Sequence, residues 1–286
     1  MQLKYSQPSH RTRGPRIATS ALRETVETLS FPRVYGTADN LRARDLLVAE
    51  FKMLGKCSLL GDTQNIVLGD LHSARILIGA HYDSVAGTPG SDDNASAVAV
   101  MLHVMKVIGP LPHVAAVAFN CEESGLTGSR EFVQLLPRDH LLEEVHVLEM
   151  VGFRNREPNS QRDPVPGLGC PTTGDFLGIV GNDGPSVERV LKAGGTVSIP
   201  VVGLALPAGL PLNLISSTSP HLLRSDHASF WEHGERQGRV FSATMWTDTA
   251  EYRNPNYHQP TDTPDTLDYE FMAEVAELLL EVINPS

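Results

Sequence analysis

Cysteine is scarce in this chain of 286 residues: Cys57, Cys121 and Cys170 are odd in number and widely spaced. None forms a CxxC pair, so neither a disulfide framework nor a cysteine-bound structural zinc is expected. Cys121 reads as a small packed thiol. Long apolar runs are missing too. No stretch approaches the ~20 residues of a membrane span, and the first thirty residues lack the apolar core of a signal peptide. A cytoplasmic protein with no membrane partner is therefore expected, secretion being the alternative. Basic clusters are equally few. Nothing is longer than His10–Arg16, and a formal net charge of -11 with a pI near 5.4 argues against nucleic acid as a partner. Internal repeats, low-complexity tracts and a dividing linker are also missing.

What remains is an ordinary globular composition, 41% hydrophobic and 20% charged. A chain of this size buries roughly three quarters of its unfolded surface without covalent help. A polar arm is expected over residues 1–19, followed by one domain over 20–286. Helical spacing marks Ser20–Leu29 and Thr37–Leu54, with Gly55 as a stop. Strands are expected at Gln64–Leu68, Ala74–Ala80, Val114–Phe119 and Val145–Met150. Between them, Asp93–Ile108 reads as a helix apolar nearly all round, hence buried, and Thr127–Leu135 as another helix. Further strands are expected at Phe176–Val180, Val197–Leu206 and Val240–Thr244, and helices at Ser186–Ala193, Asp226–Glu232 and Phe271–Val282. This alternation predicts an α/β sheet with helices on both faces. Gly152–Gly174, rich in Pro, Gly and Asn, breaks the pattern, as functional loops do.

Four separated segments offer side chains suited to a divalent cation: His81-Tyr82-Asp83, Asp93-Asn94, Glu122-Glu123 and Tyr257-His258. Imidazole nitrogen with carboxylate oxygen is zinc chemistry. His81 ends an apolar strand, where open α/β sheets place their ligand crevice. Asp83, two residues on, is positioned to accept the second imidazole N–H. Asp93 opens a helix after a tight turn; its two oxygens could bridge two cations, with Asp92 or Asn94 orienting it. Acids directly after a buried strand are costly unless they bind something. Glu123 is the expected ligand and Glu122 the general base. Glu149 interrupts an apolar strand at its end, either as a ligand or as a strand end facing water. His258 would complete a second metal, Tyr257 could donate to an oxyanion, and Asp262 could buttress His258. Arg224 is a candidate for a substrate carbonyl or carboxylate; Asp226 is a helix cap or a substrate-site residue. The pattern reads as a two-metal hydrolase.

These residues resemble the co-catalytic zinc exopeptidases of metallopeptidase family twenty-eight, of the aminopeptidase Y and glutamate carboxypeptidase II type. The stretches that carry the likeness are GAHYDSV (79–85), GSDDNASA (90–97), AFNCEESGLTGSREF (118–132), RSDHASFWEHG (224–234) and RNPNYHQPTDTPDTLDY (253–269). The resemblance implies a mixed, mostly parallel sheet of about eight strands between helices, as in the phosphorylase/hydrolase-like fold. It implies one zinc on His81 and Glu149, a second on Glu123 and His258, and Asp93 shared between them. A cis peptide is implied at Asp93–Asn94. One departure is visible: the family usually has Asp where this chain has Glu149. The implied activity is metal-dependent removal of amino-terminal residues from peptides. Two rivals remain: a glutaminyl-cyclase-like acyltransferase using one zinc, Asp226 then becoming relevant, and a catalytically silent peptidase-like binding domain.

Overall fold

A computed structural model describes residues 2–6, 16–165 and 167–283. Its strands are β1 (Leu3–Tyr5), β2 (Cys57–Leu60), β3 (Asn65–Leu68), β4 (Ile76–His81), β5 (Val114–Phe119), β6 (Glu144–Glu149), β7 (Leu177–Gly181), β8 (Val201–Ala205) and β9 (Ala243–Thr247). They form one sheet in the order β1-β8-β7-β9-β6-β4-β5-β3-β2. The centre, β9-β6-β4-β5, is parallel, as is β7 with β8; the junction of β7 with β9 and both margins are antiparallel. The mixed α/β sheet is thus as expected, with nine strands among the described residues and its parallel pairing concentrated in the middle.

The central strands are apolar on both faces because both faces are covered. In β4 and β5, Ile78, Ala80, Ala116 and Ala118 face one core while Leu77, Ala115, Val117 and Phe119 face the other. The first core is closed by α1 (Thr19–Leu29), α2 (Ala38–Leu54), α3 (Ala97–Ile108), α5 (Gly184–Ala193) and α8 (Tyr269–Ile283). The second is closed by α4 (Thr127–Leu135) and α7 (His227–Arg236), with α6 (Leu212–Thr218) beside them. The largely apolar α3, interrupted by His103 and Lys106, lies against β4, α1 and α8.

Three elements differ from expectation by being present. β2 and α6 are short and carry no clear periodicity. β1 falls inside the expected arm: Leu3, Lys4 and Tyr5 pair with Leu204, Gly203 and Val202. The arm is therefore sheet at these residues, whereas 7–15 lie outside the described residues. A fourth difference matters more. The helix expected from Asp93 begins only at Ala97, and Ser91–Ser96 forms a wide turn of π type with non-helical angles at Asp93 and Asn94. The reason is competition from outside the helix. The N–H groups of Asp92 and Asp93 donate to the Asp262 carboxylate, and the Asn94 side chain bonds Leu148 O and Met150 N at the end of β6. The Asp93–Asn94 bond is cis.

Candidate metal centre

Because β4, β5, β6 and β9 run parallel, their carboxyl ends meet along one edge, and each delivers part of the site. His81 is the last residue of β4 and 1% exposed. Its Nδ1 faces the Asp83 carbonyl at 3.2 Å and the Asp83 carboxylate at 3.5 Å. A proton on Nδ1 leaves the Nε2 lone pair free. The Asp83 carboxylate has a further duty: it accepts from the backbone N–H of Glu122 at 3.1 Å and of Glu123 at 3.2 Å. One buried acid thus ties the loop after β4 to the loop after β5.

Asp93 is the centre of the group. Its Oδ1 lies 3.1 Å from His81 Nε2 and its Oδ2 lies 3.1 Å from His258 Nε2. Glu149 Oε1 completes the first side at 3.6 Å from His81 Nε2. Glu123 Oε2 completes the other at 3.4 Å from His258 Nε2. Ligands about 2.0–2.1 Å from a tetrahedral ion are about 3.4 Å from one another, so these separations match two donor sets sharing Asp93. Both triads, His81-Asp93-Glu149 and Asp93-Glu123-His258, hold their ligand atoms within 4.8 Å. Two of the converging atoms, His81 Nε2 and Asp93 Oδ1, are buried without a hydrogen-bond partner, as is the other carboxylate oxygen of Glu123, Oε1. Buried polar atoms are seldom left so, and imidazole nitrogen with carboxylate oxygen suits zinc. The residues fit the metal.

Glu149 points into the cleft rather than to bulk water. Its Oε2 accepts from Ser225 Oγ at 2.6 Å, leaving Oε1 toward His81. The longer Glu side chain is thereby anchored at one oxygen. Glu122 is buried beside the first triad, 4.0 Å from His81 Nε2. Burial pushes its carboxyl well up; the His81 charge opposes this, while Glu149, Asp226 and Glu123 reinforce it. Burial, with the Asp93 charge, raises Glu123 to about 7. Burial alone would depress His258, but Asp93 and Glu123 carry it to about 10. Asp93 is driven down despite its burial, because both histidines face it.

Tyr257 stacks on the His258 ring with centroids 3.8 Å apart, and its hydroxyl accepts from Arg224 Nη2 at 2.7 Å. Arg224 also pairs with Glu251, so its charge is already balanced. Two expectations need correction. Asp262 does not buttress His258 but receives the N–H groups of Asp92 and Asp93, which the wide turn would otherwise leave unpaired. Asp226 is neither a side-chain cap nor within reach of a substrate: it is 0% exposed, and neither oxygen has a hydrogen-bond partner. Burial, opposed by His81 and reinforced by Glu149, raises its carboxyl to about 7.

Sequence reasoning overlooked Arg33, which is fully buried. Its guanidinium donates to the carbonyls of Leu29, Phe31, Tyr82, Pro89 and Gly90, and its N–H to Ser84 Oγ. It fastens the loops that carry His81 and Asp93. A lone arginine before a helix gives no sequence signal of this.

The pattern that defines Peptidase family M28 matches residues 65–283. The uncharacterized protein YfbL of Escherichia coli K12 is 33% identical over 249 residues, 79% of this chain and 72% of that one. A probable lipoprotein aminopeptidase, LpqL of Mycobacterium tuberculosis, is 32% identical over 68% of this chain, which spans only 39% of that protein. Among solved structures, BSAP, a zinc aminopeptidase from Bacillus subtilis, superposes with a TM-score of 0.67 at 17% identity, covering 95% of each chain.

Proposed function

The chain belongs to peptidase family M28, and on that premise we propose that it is a two-zinc aminopeptidase releasing amino-terminal residues from peptides. One observation carries the reading: the two oxygens of Asp93 each lie 3.1 Å from a different histidine, with a glutamate beside each. His81, Asp93 and Glu149 would hold one ion; Asp93, Glu123 and His258 would hold the other. Bound there, the ions would polarise the scissile carbonyl and make water acidic enough to attack it near neutrality.

The chain's own residues do the rest. Glu122, buried 4.0 Å from His81 Nε2, removes the attacking water's proton and returns it to the departing amine. Tyr257 accepts from Arg224 with its oxygen lone pair, so its own proton is free for the developing oxyanion. Arg224 is engaged by Glu251 and Tyr257, which counts against capture of a substrate's terminal carboxylate and favours action at the amino end. We place the enzyme in the cytoplasm; no described helix is long and apolar enough to cross a membrane, and the three cysteines are free thiols.

A one-zinc acyltransferase of the glutaminyl-cyclase kind would need Asp93, Glu123 and His258 but leave His81 and Glu149 idle. A silent binding domain would need neither triad. Metal analysis of the purified protein separates these: two equivalents of zinc are expected, one favours the cyclase, and none revives the binding domain. Hydrolysis of aminoacyl 4-nitroanilides is expected to stop on chelation and return with zinc. Glu122→Gln is expected to lose roughly 100- to 10,000-fold in kcat; full activity in that variant would remove the base from the scheme.

A further inference from the structure

The edge of the sheet away from the metal centre holds a cavity that no step above uses. β7 and β8 run together but opposite to β9, so their carboxyl ends meet the approach to β9 at this far edge. Asn182 and Leu206 follow those ends directly, and Val240 precedes β9. With α6 and the end of α7 they enclose about 270 Å³. Leu206, Leu210, Ile215 and Trp231 give it an apolar lining, and Val240, 43% exposed, stands at its rim.

Two charged side chains line it as well, Glu235 and Arg239. Four residues apart, they would meet as an ion pair if α7 continued. It does not, because Gly238 turns left-handed at a φ of 66°. The Gly238 N–H then bonds Glu235 O and the Arg239 N–H bonds Gly234 O, which reverses the chain. Among the described residues no carboxylate pairs with Arg239. Its guanidinium lies 5.1 Å from the Phe241 ring centroid, with Nε donating to Gln237 Oε1 at 2.8 Å. Glu235 spends Oε1 on the Leu212 N–H at 2.9 Å, and its Oε2 accepts from no described residue. The other polar side chains of the lining are satisfied: Asn182 bonds Phe241 O and Ala243 N, and Trp231 Nε1 donates to Ala243 O. What the cavity leaves open is one cation and one anion beside an apolar wall.

We propose that this cavity is a second ligand site, which takes a free apolar α-amino acid of the leucine or phenylalanine class. Arg239 receives the carboxylate, Glu235 Oε2 the ammonium, and the side chain lies against Trp231 and Ile215. Both charges select. A fatty acid or a peptide's carboxyl end leaves Glu235 without a cation, and a simple amine leaves Arg239 without an anion. Size agrees, since a cavity of about 150 Å³ takes a benzene molecule and this one is larger. The site stands without the aminopeptidase reading, although that reaction releases ligands of this class.

Calorimetric titration of the zinc-loaded full chain with leucine, phenylalanine, alanine, N-acetyl-leucine and leucinamide tests the site. Leucine and phenylalanine are expected to saturate it, leucine binding roughly 50-fold more tightly than alanine. N-acetyl-leucine and leucinamide each lack one charge and are expected to bind at least about 10-fold more weakly than leucine. Trp231 locates the ligand: leucine is expected to shift the emission of the wild type but not of Trp231→Phe, which retains Trp246 alone. Glu235→Gln keeps an acceptor for the Leu212 N–H, and Arg239→Gln removes the cation. Each is expected to lose about 10-fold in leucine affinity with zinc content unaltered. Absence of saturable binding, or a derivative that binds as well as leucine, overturns the proposal. So does unaltered affinity in either variant, or an emission shift that is absent or survives Trp231→Phe. Should Arg239→Gln not fold, Glu235→Gln and the two derivatives still decide. No arm uses turnover, so failure of peptide hydrolysis would remove the aminopeptidase reading alone.

Discussion

At the scale of single residues, the site is held by groups that never touch a reacting atom. Ser225 fixes one oxygen of Glu149 and so aims the other. Ser225→Ala is expected to weaken zinc binding roughly 10- to 100-fold, read by competition with a chelator of known affinity; unaltered affinity would show that Glu149 is aimed by other means. Arg33 answers five main-chain carbonyls at once. Burial lowers its guanidinium to about 10, so it stays charged at neutral pH. Arg33→Met strands those acceptors, and a loss of at least about 3 kcal/mol is expected in denaturant unfolding. Neither residue announces itself in the sequence. His81, Asp93, Glu122, Glu123 and His258 do, because four separated segments offer donors of one metal-binding chemistry, three of these residues at or just after the end of an apolar strand. Asp262 was legible as a supporting acid but not as to what it supports, since its partners lie some 170 residues away and are backbone groups.

At the scale of elements, the loop between β5 and α4 shows how tightly the base is placed. Gly128, in the first turn of α4, lies so close to this loop that an added Cβ would sit 1.8 Å from the Asn120 carbonyl oxygen. Gly128→Ala must therefore push α4 from the Asn120–Glu123 turn. A cost of about 1–3 kcal/mol is expected, with a fall in kcat because Glu122 moves; a thermal melt and steady-state kinetics on one preparation check both. The alternation of strands and helices was legible wherever a buried run was long enough to show a period, as in β4, β5 and α3. It was illegible for β1, β2 and α6, whose lengths of three, four and seven residues leave too little pattern. The false helix start at Asp93 has another cause. Local propensity favoured a cap there, but bonds from β6 and Asp262 outcompeted it.

At the scale of the whole molecule, the converging acids make the metal-free fold sensitive to alkali. A group whose folded pKa is raised lends stability below its ordinary value and loses it as pH climbs through the raised one. Glu123, Asp226 and Asp262, each brought to about 7 first by burial, spend theirs between about 4 and 7. His258, at about 10, spends its own between 6.5 and 10. His146 and His227, lowered to about 3 and about 4 by burial, act oppositely but only below their ordinary value. The chelated protein is therefore expected to melt at a lower Tm at pH 9 than at pH 7. Zinc replaces the protons, so its stabilising effect is expected to be larger at pH 9; calorimetry with and without the ion checks this, and equal increments would contradict it.

The Arg33 clamp has a consequence for ionic strength. Dissolved ions screen exposed pairs such as Lys4–Glu188 and Arg75–Glu143 but scarcely reach a cation walled in by carbonyl dipoles. Brine should slacken the molecule at its periphery first, while the framework beneath the reaction centre keeps its shape.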